Sequence, residues 1–224
     1  MSRSTLILTV AALLFTILPT QAADPPSGIK VDKDKRTITI DCKIAPRKIN
    51  DERYKEIYPI EVIACWEFPK GQKAHETIVT FDIKPSEVHK ALEGFGLKPG
   101  TPVTGDGEPK GPEVNLYLEI PGADGQPRRV AIEKTLIDPK SGKTMPKVKW
   151  RFTGSAMVQP DPTKDETVYG ADLSGTLISI FPVTNQTVLQ TNLTMKEEKY
   201  LKLETNKEVL PKEGTPVKLV IVAK

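Results

Sequence analysis

The sequence predicts a β-rich α+β fold, with antiparallel or mixed sheets and one prominent helix near residues 85–95. Two observations support this prediction. Several segments of five to nine residues alternate apolar and polar side chains, which is the period of a half-buried strand. One segment instead repeats its apolar residues at helical spacing, and Pro, Gly and Asp residues typical of turns separate the segments from one another.

The predicted strands follow one another along most of the chain. We expect residues 24–184 to form one β-rich domain, and residues 185–224 either to extend its sheet or to form a small appendage. The predicted strands are Thr37–Ile44, Ile60–Phe68, Thr77–Ile83, Val114–Ile120, Arg129–Ile137, Val148–Phe152, Gly175–Phe181, Tyr200–Glu204 and Pro216–Val222.

The predicted helix begins at Pro85 or Ser86, because proline suits the first helical position. Its apolar residues at helical spacing would face the core. Gly96 is expected to end it, since glycine readily adopts the left-handed conformation found just beyond many helices. The apolar stripe consists of Val88, Leu92 and Phe95.

Residues 1–23 have the pattern of a secretory signal peptide. Arg3 is followed by an apolar run at 6–19 and by the small residues Ala22 and Ala23. The run is shorter than the roughly 20 residues that a membrane-spanning helix needs. We therefore expect the mature chain to be exported to the periplasm or the extracellular space, without a stable membrane span.

The charge of the mature chain is nearly balanced. The full chain carries a formal net charge of +3, which falls to +2 when Arg3 leaves with the leader, because the leader holds no acidic residue. Nucleic-acid-binding domains usually carry a concentrated basic surface. The composition therefore argues against a nucleic acid as the partner.

Two cysteines, Cys42 and Cys65, lie in predicted strands that are neighbours in sequence. An even count in an exported protein suggests a disulfide, but buried free thiols fit these positions as well. Both alternatives stay open at this point. No CxxC motif occurs in the sequence, which argues against iron–sulfur, thioredoxin-type and c-type haem sites.

The two histidines, His75 and His89, are candidate ligands or bases. His75-Glu76 does not begin a zinc-protease HExxH motif, because Val79 occupies the place of the second histidine. On an extended strand His75 and Thr77 would share the apolar face, and Glu76 would point away from His75.

A metal site is one hypothesis for these histidines. If Cys65 is a thiolate, it could join His75 and His89 as a copper or zinc site of the His₂Cys type. The alternative is that both imidazoles are structural, since their spacing matches no known metal motif.

A serine hydrolase is a further hypothesis. Ser155 or Ser174 would be the nucleophile, His75 or His89 the base, and Asp172 the third member of the triad. The sequence lacks the GxSxG signature that places a nucleophilic serine on a sharp turn. Local hydrogen bonding in turns is the simpler interpretation of Ser155, Ser174 and Asp172.

Four segments resemble the YdjY-domain family of exported bacterial proteins without an assigned reaction. They are IEVIAC (60–65), HETIVTFDIKPSEVHKALEGFGLKPGTPV (75–103), WRFTGS (150–155) and YGADLSGTLISI (169–180). Some members are described as ferredoxin-like, but this chain lacks a cluster-binding cysteine pattern. The resemblance, over roughly residues 29–181, implies a pocket or binding site at the recurrent motif positions, which are His75, Glu76, Thr77, Ser86, His89, Ser155 and Asp172.

The sequence favours a non-catalytic binding or envelope-accessory module. Its partner would be a protein or small molecule in the envelope, held on an exposed sheet edge or in a pocket under the helix that starts at Pro85. No cofactor is expected in this interpretation. The alternatives are a metal or redox accessory that uses copper or zinc at His75, His89 and Cys65, and, third, a serine hydrolase.

Overall fold

The computed structural model describes residues 28–122 and 125–224, so the predicted leader at 1–23 lies outside the described residues. The strands are β1 (Ile29–Asp32), β2 (Thr37–Ile44), β3 (Val62–Trp66), β4 (Thr77–Phe81), β5 (Glu113–Pro121), β6 (Pro127–Ala131), β7 (Leu136–Ile137), β8 (Trp150–Phe152), β9 (Met157–Val158), β10 (Val168–Tyr169), β11 (Thr176–Ser179), β12 (Leu189–Thr191), β13 (Glu204–Thr205) and β14 (Pro216–Ala223). The helices are α1 (Pro85–Gly94), α2 (Gly170–Ser174) and α3 (Met195–Tyr200), with 3₁₀ turns at Ala74–Glu76 and Ile132–Thr135.

Eight of these strands close into a barrel in the order β2-β14-β5-β8-β12-β11-β3-β4, because β4 pairs back onto β2. β3 with β4 and β11 with β12 are parallel pairs, and the other barrel pairs are antiparallel. β1 and β6 are attached to β2 and β5 outside this circuit. The predicted β-rich, mixed-sheet fold is confirmed, and its closure into a barrel is an addition to the prediction.

Alternation of side chains places the core inside the barrel. Along β2 every second residue is buried, and Ile40 aligns with Leu219 of β14, which in turn aligns with Leu118 of β5. Aligned residues of paired strands share one face of a sheet, so these three side chains meet in the interior. Burying one such side chain stabilises the fold by about 1.5–3 kcal/mol.

The strand directions define the two ends of the barrel. At the first end β2, β5, β11 and β12 begin and the other four barrel strands finish. Helix α1 follows β4 at this end, and α3 follows β12 at the opposite end. We call them the α1 end and the α3 end.

The predicted helix is confirmed as α1. Val88 and Leu92 are buried in the same core as the barrel interior, and Gly96 has φ 81°, as the predicted helix stop requires. The Phe95 carbonyl accepts a 2.9 Å hydrogen bond from the Arg36 guanidinium in the β1–β2 turn. Helix α1 is therefore fastened to the strands that it covers.

Residues 185–224 contribute strands to the barrel itself. β12 pairs with β8 and β11, and β14 lies between β2 and β5. The predicted strand Tyr200–Glu204 is wrong, because α3 occupies Met195–Tyr200 and only a two-residue strand, Glu204–Thr205, follows. Within the described ranges, no helix is long and apolar enough to cross a membrane.

Candidate functional site

The two histidines lie at opposite ends of the barrel. His75 belongs to the 3₁₀ turn just before β4, and His89 lies on α1, which follows β4. The five residues of β4 run from the α3 end to the α1 end, a rise of about 16 Å. The structure therefore does not bring His75 and His89 together.

The His₂Cys arrangement is not formed. Cys65 lies near the end of β3, where its neighbours across the sheet are Thr80 and Thr176, so it is at the end of the strand farthest from His75. In residues 28–122 and 125–224, no group of three or more His, Cys, Asp or Glu side chains is arranged to hold a metal ion.

The disulfide alternative is wrong, because Cys42 and Cys65 are two strands apart and face opposite sides of the barrel wall. Lys43, Thr80 and Cys65 form one row across β2, β4 and β3, so Cys65 shares the outer face with Lys43 and Cys42 faces inward. Two strand spacings are about 10 Å, whereas a disulfide needs Cα atoms within about 7 Å. Both thiols are free, and burial raises the pKa of Cys42 to about 12 and that of Cys65 to about 11.

Three of the predicted site residues come together at the α1 end. The Asp172 carboxylate accepts a 2.8 Å hydrogen bond from the Ser86 backbone amide, which joins α2 to the first turn of α1. The Ser155 hydroxyl accepts from the Ala171 amide at 2.9 Å and donates to the Ala156 carbonyl at 3.2 Å. These bonds fasten the segment after β8, helix α2 and helix α1 to one another.

His89 joins the same group through a tyrosine that the sequence analysis missed. Its Nδ1 lies 2.6 Å from the Tyr169 hydroxyl, its Nε2 lies 3.4 Å from Glu93, and its ring meets Phe152 edge-on at 5.0 Å. Gly154 has φ 67°, and a Cβ there would lie 3.3 Å from His89 Cε1, so a glycine is needed at this contact. Tyr169 is the first residue of the YGADLSG segment, and this position was the sequence feature that could have identified it as a site residue.

The α1 end lacks the geometry of a nucleophilic triad. Burial, together with the negative charges of Asp172 and Glu93, raises the pKa of Tyr169, so its hydroxyl stays protonated. His89 contacts Tyr169, and Ser155 is bonded to backbone groups. Ser174 is buried and donates to the Gln186 carbonyl at 2.7 Å. The predicted combinations of serine, histidine and Asp172 are therefore not assembled.

His75, Glu76 and Thr77 lie at the α3 end. Contrary to the prediction, Glu76 contacts His75, with 3.1 Å between Nε2 and Oε1, because the residues form a 3₁₀ turn and do not yet alternate as a strand. Lys73 Nζ is 2.8 Å from Glu76 and 3.6 Å from Glu61. Thr77 is buried, and its hydroxyl donates to the Val79 carbonyl at 3.2 Å.

The two carboxyl groups of this network have opposite pKa shifts. Burial and the negative charge of Glu76 raise the pKa of Glu61 to about 7. Burial opposes ionisation of Glu76 too, but hydrogen bonds from His75 and Lys73 outweigh it and lower the pKa of Glu76 to about 2. At neutral pH the network therefore holds an ionised Glu76 beside a Glu61 that is close to its midpoint.

Arg47 completes the α3 end, and no sequence motif marked it. Its side chain is 9% exposed, and its Nε and Nη2 bond to the Glu204 carboxylate at 2.7 and 3.1 Å. It also donates to the carbonyl oxygens of Tyr58 and His75. The His75 ring stacks on Tyr54 with centroids 4.2 Å apart. Arg47 thus holds the loop after β2 against the turn that carries His75.

A groove opens in the barrel wall where β2 and β4 diverge, and residues of both faces line it. β4 pairs with Lys43 and Ile44, whereas the Asp41 amide bonds to the Gly28 carbonyl at 2.8 Å. The space between has a volume of about 440 Å³ and continues, past Trp66, into a depression of about 470 Å³ beside α1. We call it the Trp66 groove; its main part is lined by Asp41, Cys42, Lys43, Trp66, Glu67, Phe68, Pro69, Lys70, Thr80, Phe81, Asp82 and Pro216.

A protein-family model described as the YdjY domain matches residues 29–222. The matched stretch begins with β1 and ends within β14, so it includes the barrel and both groups of residues described above. No curated protein and no solved structure matches the chain.

Proposed function

The chain belongs to the YdjY-domain family, and we propose that it is a non-catalytic binding module that acts outside the cytoplasm. One observation carries the proposal. The polar side chains at the α1 end are engaged with one another and with the backbone, whereas the Trp66 groove is open and lined with rings.

The bonding at the α1 end supports a structural role for its motif residues. A general base must be within hydrogen-bond reach of a group that loses a proton, and a nucleophile must be free to attack. Ser155 and Asp172 instead bond to backbone amides of neighbouring elements. These contacts position α1 beside the groove.

The groove fits an extended peptide segment of a partner protein. Its aromatic and proline rings, at Trp66, Phe68 and Pro69 among others, offer the surface on which grooves of this kind hold proline or aromatic side chains. Its volume is within the range of about 300–1,000 Å³ typical of ligand sites. The occupant that we propose carries an apolar ring.

The charges around the groove favour a basic residue next to that ring. Asp41, Glu67 and Asp82 line the groove together with Lys43 and Lys70. Asp41 is paired with Lys218 at 3.3 Å, so Glu67 and Asp82 are the carboxylates that we assign to the occupant. Asp82 is 96% exposed and only 3.9 Å from Lys70 Nζ, a weak surface pair that a ligand can replace.

Action outside the cytoplasm rests on the pattern of residues 1–23. A basic residue, a short apolar run and small residues in that order are typical of a cleaved leader. Fractionation of cells that express the full chain, with mass spectrometry of the mature N-terminus, tests this part of the proposal.

Tryptophan fluorescence can test the groove directly. Trp66 lines it, whereas Trp150 is 2% exposed in the core, so a bound peptide should change the Trp66 emission. Arrayed decapeptides that combine proline or aromatic residues with lysine are the probe. We expect some of them to bind, and the charge reversals Glu67→Lys and Asp82→Lys to weaken binding about tenfold.

Glu108→Lys is the matched control, because Glu108 is exposed and lies outside the groove. It should leave the affinity unchanged. If no peptide changes the emission, or if the groove variants bind as well as the control, this assignment of the groove fails.

A further inference from the structure

A second concave surface lies at the α3 end and is unrelated to the Trp66 groove. It is a cavity of about 470 Å³. Ile44 contributes to it from the inner face of β2, whereas Lys43, the residue before, contributes to the Trp66 groove from the outer face. The two sites are lined by different residues throughout. The cavity, called here the Arg47 cavity, is lined by Ile44, Ala45, Arg47, Thr205, Lys207, Leu210, Pro211, Lys212 and Glu213.

The floor of the Arg47 cavity is apolar. Ile44 and Ala45 are buried at the end of β2, and Leu210 and Pro211, which belong to the same lining, are half-buried. Mouths of β-barrels with largely apolar walls and a few polar groups are common sites for small ligands. This floor fits an aliphatic chain.

The rim of the cavity is cationic. The side chains of Lys207 and Lys212 are exposed and, within the part of the chain that the structure describes, neither forms an ion pair or a side-chain hydrogen bond. Arg47 is held in place by Glu204, and the Glu213 carboxylate accepts from the Arg47 amide at 2.9 Å. These three cations and two carboxylates leave one net positive charge, which the two exposed lysines contribute.

We propose that the Arg47 cavity binds an aliphatic carboxylate, with the chain on the apolar floor and the carboxylate between Lys207 and Lys212. Ammonium–carboxylate hydrogen bonds are stronger than neutral ones, particularly next to an apolar surface. The Arg47 guanidinium is already bonded to Glu204, so the carboxylate of the ligand is assigned to the two lysines. This site adds a small-molecule ligand to the peptide groove proposed above and does not depend on it.

Calorimetric titration with decanoate tests the proposal. We expect saturable binding of decanoate, and much weaker binding of acetate, which lacks the chain, and of decyltrimethylammonium, which has the opposite charge. The double variant Lys207→Gln/Lys212→Gln should weaken decanoate binding about tenfold, because it removes both charge-assisted hydrogen bonds. Leu210→Gln should also weaken decanoate binding, because it makes the apolar floor polar. Leu210 is only half-buried, so the substitution should be compatible with folding.

The matched control is Lys43→Gln/Lys70→Gln, which makes the same change of charge in the Trp66 groove. It should bind decanoate as the wild type does. The proposal is overturned if decanoate does not bind, if decyltrimethylammonium binds equally well, or if the control variant loses affinity while the cavity variants keep it. Peptide binding in the groove is measured separately, so either proposal can fail alone.

Discussion

At the scale of single residues, Glu61 and Glu76 show how one network can shift two identical carboxyl groups in opposite directions. Both are largely buried, and both lie near Lys73. Glu76 has the closer ammonium and the His75 ring as a second donor, so its charge is stabilised. Glu61 then faces a neighbouring negative charge, with Glu198 adding to it, and its ionisation is disfavoured.

The raised pKa of Glu61 predicts a loss of stability as the pH rises from about 4.5 to about 7. Its protonated form is favoured by folding, so its contribution is complete below the ordinary pKa near 4.5 and disappears as the pH rises through about 7. In Glu61→Gln the side chain stays neutral, and the variant should gain on the order of 2 kcal/mol over the wild type between pH 5.5 and pH 8. Urea denaturation at the two pH values measures this.

Glu76→Gln serves as the contrast for that experiment. The lowered pKa of Glu76 means that its contribution is present above about 4.5 and is lost only as the pH falls through about 2. The variant should therefore be less stable than the wild type at pH 5.5 and at pH 8. Equal pH dependence in wild type and Glu61→Gln would contradict the account of the network.

The sequence grouped seven residues as one candidate site, and the structure places them in two groups, with His75, Glu76 and Thr77 at the α3 end. Ser86, His89, Ser155 and Asp172 do meet at the α1 end. The role of Arg47 could not be predicted, because a single basic residue in a loop belongs to no motif or repeating pattern. Its partner Glu204 is also far away in the sequence.

At the scale of elements, α3 shows a local signal that outweighed an apparent strand. The Thr194 hydroxyl and the Glu197 carboxylate cap each other's backbone amides at the start of the helix. This Thr-x-x-Glu pattern is a capping box, readable in the sequence as TMKE. The prediction of a strand at Tyr200–Glu204 overlooked it.

A helix of six residues should depend strongly on that cap. Thr194→Ala removes the hydroxyl that accepts from the Lys196 amide, and we expect a loss of about 1 kcal/mol of stability. Amide hydrogen exchange of residues 195–200 measures whether the loss of stability is confined to α3. Thr167→Ala, at an exposed loop position just before β10, is the control and should be close to neutral. Uniform protection of α3 in both variants would show that the cap is dispensable.

At the scale of the whole molecule, closure of the barrel is what periodicity could not predict. The alternation in β2 or β14 predicts which side chains face the core, but it does not predict with which other strand each of these two strands pairs. Pairings such as β2 with β4 and β14 with β5 join segments that are distant in sequence. The inward-facing side of each strand could be predicted from the alternation, whereas the order of the strands around the barrel could not.

The central place of β14 leads to a test of the core. Leu219 is fully buried between Ile40 and Leu118, so Leu219→Ala should cost about 3 kcal/mol through lost burial and a residual cavity. Lys218→Ala, next to it on the exposed face, should cost less than about 0.5 kcal/mol. Chemical denaturation of both variants decides the matter, and equal losses would argue against the assigned interior face.

The position of β14 between β2 and β5 also sets an order of events in time. Before residue 216 has been synthesised, β2 and β5 each have an edge that lacks its partner strand. An unpaired edge of this kind can pair with a strand of another molecule. The barrel can therefore close around its apolar interior only after β14 has been synthesised, roughly 180 residues after β2. Until residue 216 is made, those edges are open to pairing with other chains, and this unclosed state is also the one that the proposed export would require.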